Sequence, residues 1–122
     1  MYLLAWASGL KMTTDPQKLF DNFDLLIDGG LILVDPNGEV VQANQAALNV
    51  LGARILNQPL EYYLRHPDIN QALNSINEFG EASPLTYLRY DDVQHEYVVK
   101  FVPFPSDHCL VFMNDVTARF SF

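Results

Sequence analysis

The sequence predicts an α+β domain built on a five-stranded antiparallel sheet, with helices over one face and a further helix in front of the sheet. Three observations carry that prediction. Apolar patterning runs in the order two short strands, helices, three strands. The strands are joined by short turns, Asp35-Pro36-Asn37-Gly38, Asp91-Asp92-Val93-Gln94 and Pro105-Ser106-Asp107, which favour antiparallel neighbours. The later strands carry apolar side chains on both faces, with Tyr97, Val99 and Phe101 pointing one way and Val98, Val102 and Phe104 the other, so both faces need cover. With 122 residues, 49% hydrophobic and 18% charged, the chain is long enough for one cored domain and too apolar to be disordered.

The elements follow in order. Met1 to Leu10 is almost wholly apolar, but it is too short to span a bilayer, which takes about 20 such residues, and no basic residue precedes it. Asp15 caps a predicted helix with Pro16 at its first position, and Leu19, Phe20, Phe23, Leu26 and Ile27 fall on one face of it before Asp28-Gly29-Gly30. That stripe has two readings: it covers the domain's own sheet, or it packs on the same helix of a second subunit. Leu31 to Val34 and Glu39 to Ala43 form a hairpin, in which Asp35 accepts backbone bonds, Pro36 presets φ and Gly38 takes a positive φ. Asn44 caps a helix bearing Ala47, Leu48, Val50 and Leu51, and Gly52 ends it as a residue free to go left-handed. Ala53 to Leu64 has no clean period and reads as short turns and loop. The strongest helix opens at Pro67 and Asp68, with Ile69, Ala72, Leu73, Ile76 and Phe79 as one stripe up to Gly80. Pro84 to Tyr90, His95 to Phe104 and Cys109 to Val116 are the closing strands.

A strand ending in Asp35, a glycine three residues on, a strand ending in Ala43-Asn44 and an alanine-bearing helix closing on Leu51-Gly52 together resemble the opening of a PAS domain. Gln58-Pro59-Leu60, Leu64-Arg65-His66-Pro67 and Ala72-Leu73 are similar to the PAS modules of phosphate-regulon type sensor histidine kinases. Asn114-Asp115-Val116-Thr117 resembles the Asp-(Ile/Val)-Thr with which such domains leave their last strand. The resemblance spans about Leu25 to Thr117. It implies a sensory or dimerisation module of a signalling protein, with Asp115 and Thr117 at the exit to an output domain and the Leu19 to Ile27 stripe serving a homodimer.

Composition and spacing exclude several other classes. The net charge of −8, from 15 acidic and 7 basic residues, repels a phosphate backbone, so nucleic acid is not an expected partner. The single cysteine, Cys109, allows no intrachain disulfide and is compatible with a cytoplasmic setting. Its neighbour His108 points to the opposite face of a strand, so the two form no nucleophile pair. His66, His95 and His108 are scattered and show no metal-ligand spacing. No phosphate loop, serine elbow or paired-carboxylate motif stands out, and the early hairpin departs from small isomerase folds that place long helices first. By the resemblance, a flavin-linked light sensor needs a cysteine in its central helical region, which this chain lacks, and a haem-binding member uses a histidine on the long helix, whereas His66 stands only at its beginning.

The reading is therefore a domain with an amino-terminal arm and flanking helix (1–30), a PAS core (31–117) and the start of an output linker (118–122). Its expected function is to couple ligand or partner binding to the output domain of a parent protein, a cytoplasmic or membrane-anchored histidine kinase, with no catalytic residues in this chain. Alternatives from other classes are a ligand-free homodimerisation module and a small α+β enzyme. A small-molecule ligand, of unknown identity, is placed between the sheet and the Pro67 to Phe79 helix, lined by Leu73, Ile76, Tyr87, Val99 and Phe101.

Overall fold

The computed structural model describes residues 29–90 and 94–116. The predicted flanking helix with Leu19, Phe20, Phe23, Leu26 and Ile27, the stretch Met1 to Leu10, and Thr117 to Phe122 lie outside the described residues. Within them the order is β1 (Gly30–Val34), β2 (Val40–Ala43), α1 (Gln45–Leu51), short 3-10 turns at Ala53–Ile55 and Leu60–Tyr62, α2 (Ile69–Phe79), β3 (Leu85–Tyr90), β4 (Gln94–Phe104) and β5 (His108–Asp115). The five strands form one sheet, antiparallel throughout as the sequence predicts, and the structure gives their order as β2-β1-β5-β4-β3.

The β1–β2 turn closes as its residues dictate. Gly38 N–H donates to the Asp35 carbonyl at 3.0 Å, and the Asp35 carboxylate accepts from the amides of Asn37 and Glu39 at 2.9 and 3.0 Å. Gly38 sits at φ 85°, where a side chain would be strained. The register slips between Leu33 and Val34, where β2 runs from Gln42 to Val40, so Val41 is left over as a bulge and is exposed. Predicted β2 loses Glu39, which instead bridges to Pro59.

Period-two alternation divides β1 between the two faces. Ile32 and Val34 point inward with Val40, Ala47, Ile69, Leu73, Ile76, Val99, Phe101 and Val111 to make the main core, with α1, α2 and the 3-10 turns packed over that face. Leu31 and Leu33 point outward to Val102, Phe104, Leu110 and Phe112. The expectation that both faces of the later strands are apolar therefore holds.

Three local expectations need correction. Phe79, expected in the buried stripe of α2, is 72% exposed at the last position of the helix, next to the Gly80 stop where the helical spacing ends. Helix α2 begins at Ile69 rather than Pro67, and Asp68 makes no side-chain capping bond. Gly52 ends α1 at φ 98°, ψ 152°, outside the left-handed helical region, in a conformation that only glycine readily adopts. Gly80, in contrast, takes the left-handed conformation after α2 and donates to the Ile76 carbonyl at 3.0 Å.

Candidate functional site

The inner face of β3, β4 and β5 and the apolar side of α2 enclose the region that the sequence nominates. Leu73 and Ile76 come from α2, one turn apart; Tyr87 comes from β3, and Val99 and Phe101 from β4. All five are buried in the same core cluster, so the fold does bring them together. Leu73 also borders a cavity of about 60 Å³ whose other walls are the Asp35–Gly38 turn, Asn70, Asn74, Asn77 and Cys109. That volume suits a few waters and falls well short of the several hundred Å³ that an organic ligand occupies.

Two larger hollows open on the surface. One of about 220 Å³ lies between α2 and the chain leading into β3, lined by Asp68, Gln71, Ala72, Ser75, Ala82, Ser83 and Leu85. The other, about 430 Å³ and broadly open, is bounded by Glu61, Arg65, His66, Pro67, Ile69 and Asn70, and there the Asn70 amide donates to the Glu61 carboxylate. His66 is occupied locally, since its Nδ1 accepts the Asp68 N–H at 3.0 Å and its carbonyl accepts from Ile69. It thus serves the start of α2, in keeping with a capping role.

In the sequence His95 is one of three scattered histidines, but the structure sets it apart. It stands on β4 two residues before Tyr97, hence on the same inner face, with its ring 6.4 Å from Tyr97 and inclined by 27°. Tyr97 in turn lies directly opposite Tyr87 on β3, with ring centroids 6.1 Å apart. The buried Nδ1 of His95 has no hydrogen-bond partner among the described residues. An imidazole nitrogen in that state is a hydrogen-bonding group without a protein partner, and most buried polar atoms do have one. The alternation His95, Tyr97, Val99, Phe101 was the signal that places it beside the nominated residues.

Cys109 lies on β5 facing the inner cluster and is 3% exposed. Burial pushes its thiol up to about 12, so it stays protonated and unreactive near neutral pH. The His108 Nδ1–H donates to the Ser106 carbonyl at 2.9 Å, away from Cys109. Asp115 ends β5 opposite Tyr97, exposed, and beyond it the Val116 amide still donates to the Glu96 carbonyl at 2.9 Å. Its proposed companion Thr117 lies outside the described residues. Among the described residues no cluster of three or more metal-binding side chains occurs, and no helix is long and apolar enough to cross a membrane.

A five-stranded antiparallel sheet that cups helices on one face, with a Asp-x-x-Gly hairpin at its opening, defines a class of small α+β sensor-type domain. A profile of the PAS domain matches residues 28–118, and the chain belongs to the PAS domain family. The fold is shared with solved structures of low identity. The photoactive yellow protein domain of the sensor histidine kinase Ppr from Rhodospirillum centenum is 12% identical, with 72% of this chain and 86% of that one covered, at a TM-score of 0.60. The LOV protein of Rhodobacter sphaeroides is 21% identical, with 82% and 68% covered, at 0.58. The PAS domain of an HTR-like protein from Haloarcula marismortui is 16% identical, with 82% and 96% covered, also at 0.58. No curated protein matches the chain.

Proposed function

We propose that this PAS domain is the sensory module of a signal-transduction protein, a histidine kinase of the phosphate-regulon type, placed in the cytoplasm. A small molecule bound between the inner sheet face and α2 would shift the sheet and change the output domain that follows Asp115 and Thr117. The observation that carries the reading is the partnerless buried nitrogen of His95, at the end of an aromatic row on the face that also bears Val99 and Phe101. A ligand with one polar group there and an apolar body against Tyr87, Tyr97 and Ile76 would satisfy both kinds of surface. Such a ligand regulates only if it binds one arrangement of sheet and helix better than another. Native mass spectrometry of the purified protein tests this: a bound small molecule is expected, lost in His95→Phe without loss of fold. Absence of any bound species from the protein as isolated from cells would count against the reading.

A second reading, a homodimerisation module without a ligand, is favoured by the small size of the cavity that Leu73 borders, about 60 Å³. In it the sensory role passes to protein contacts, and the stripe Leu19, Phe20, Phe23, Leu26 and Ile27 joins two copies. Sedimentation at tens of micromolar distinguishes them, with a monomer excluding the second reading. In either case, Asp115→Ala with Thr117→Ala in the full-length parent is expected to alter kinase output while the domain stays folded.

A further inference from the structure

The hollow of about 220 Å³ between α2 and the chain leading into β3 plays no part in the sensory reading, yet its walls share one chemistry. Gln71 and Ser75, one helical turn apart on α2, line one side together with Asp68, the residue before the helix. Ser83 lines the hollow from the connection, and Ala72, Ala82 and Leu85 supply its apolar surface. Ala72 belongs to the inner core and the other two pack against it, so that surface is fixed from behind. The walls are tied together as well: the Ser75 hydroxyl donates to the Glu81 carbonyl at 2.7 Å, and left-handed Gly80 donates to the Ile76 carbonyl at 3.0 Å.

Charge and hydrogen bonding select the occupant. Between His66 and Leu88 the chain carries three carboxylates, Asp68, Glu78 and Glu81, and no lysine or arginine. Of these Asp68 lines the hollow, and its carboxylate makes no capping bond to α2. The start of α2 contributes roughly half an elementary positive charge, which the full charge of Asp68 exceeds, so an anion is repelled there. Ser75 gives its only hydroxyl proton to the Glu81 carbonyl, and its oxygen therefore meets a ligand as an acceptor. A carboxylate, a committed serine oxygen and a carboxamide oxygen together suit a ligand that is positively charged and donates only. A divalent metal does not fit, because Asp68 is the single carboxylate in the lining and hard cations take several oxygens.

We propose that the hollow binds the ammonium group of a small free aliphatic amine. The ammonium rests on the Asp68 carboxylate and shares its other protons with the Gln71 carbonyl oxygen and the Ser75 or Ser83 hydroxyl, while the methylene chain lies along Ala72, Ala82 and Leu85. A volume of about 220 Å³ holds a short amine whole and lies below the range usual for drug-sized ligands. Ala72 and Leu85 stand between this hollow and the inner face, so the site is separate from the inner-face ligand site and does not depend on it. An amine held here joins α2 to the connection that enters β3 and restrains that helix from outside.

The test is a titration of the full chain with n-butylamine, followed by amide chemical shifts. Saturable shifts are expected at Gln71, Ser75, Ser83 and Leu85, half-complete below about 10 mM, which is within reach of a ligand of this size. Butan-1-ol and butyrate, which keep the chain but not the positive charge, should produce none. Asp68→Asn should weaken binding at least about tenfold, and Gln71→Lys, which places a tethered ammonium in the hollow from an exposed position, should weaken it likewise. The absence of saturable shifts, equal binding of butan-1-ol, or full affinity in Asp68→Asn and Gln71→Lys would each overturn the proposal. Nα-acetyl-lysine methylamide tests the other source of an aliphatic ammonium, a lysine of another protein. Tighter binding of that compound than of n-butylamine would overturn the assignment to a free amine.

Discussion

The two helices begin in opposite ways. Helix α1 starts at Asn44, which is buried and whose side chain serves three partners: its oxygen accepts the Ala47 amide at 3.0 Å and the Leu31 amide at 2.9 Å, and its nitrogen donates to the Gly29 carbonyl at 2.9 Å. The Asn44 backbone amide adds a bond to the Leu31 carbonyl at 2.9 Å. One residue thus caps a helix, completes β1 and holds the chain where it enters the sheet. Helix α2 starts at Asp68, equally suited to capping by type, yet its backbone lies at φ −100°, ψ 7° and its carboxylate makes no capping bond. An extended backbone at the cap position aims the side chain back at the first amides; the bridge-region backbone of Asp68 does not. His66 fills in from two residues upstream. The helix beside the candidate ligand site therefore starts without a side-chain cap of its own, whereas the helix that fixes β1 starts on a residue bonded three ways.

The comparison can be broken at either helix, and the effects rank accordingly. Asn44→Ala should cost about 3 kcal/mol, a lost cap together with two groups left unpaired in a buried setting, read as a fall in urea midpoint at constant slope. A loss under about 1 kcal/mol would show that the three bonds do not act as a clamp. Gly29→Ala comes next, at about 2 kcal/mol, since the new methyl meets the Met113 backbone carbonyl at 2.6 Å and the strand itself has to shift. Thermal unfolding followed by circular dichroism reads it, and an unchanged midpoint would mean that the β1 entrance is looser than drawn. His66→Ala should cost about 1 kcal/mol and act locally, speeding amide exchange in the first turn of α2 while that of α1 is unchanged. Equal acceleration in both helices would erase the distinction. Asp68→Ala, which disturbs only a charge near the helix start, should change stability by about 0.5 kcal/mol or less, and high salt should abolish the difference.

The outer and inner sheet faces differ in a related respect. Both are apolar in sequence, and the alternation of β4 assigns Val99 and Phe101 to one and Val102 and Phe104 to the other. Which face receives the helices is not written in that alternation. It is decided by the connection from β2 to β3, which carries α1 and α2 across one side of the sheet from one edge strand to the other.

Much of the protein is a consequence of sequence alone, because it rests on residues close together in the chain. The Asp35 to Gly38 turn, the Asn44 cap, the apolar stripe of α2 with its Gly80 stop and the alternation of the strands each depend on side chains within a few positions of the backbone they direct. That Leu73, Ile76, Tyr87, Val99 and Phe101 share one buried face was legible on the same ground, for an apolar face at regular spacing identifies itself. Tertiary structure decided what depends on distant partners. It set the reach of Asn44 to Gly29 and Leu31, 15 and 13 residues away, and it left Phe79 exposed at the end of α2. It also buried the Nδ1 of the half-buried His95 beside Tyr97 and kept the cavity next to Leu73 small. Helical or strand spacing reports which face a side chain shares; only the packing of one element on another determines how much room, water or hydrogen bonding that side chain finds there.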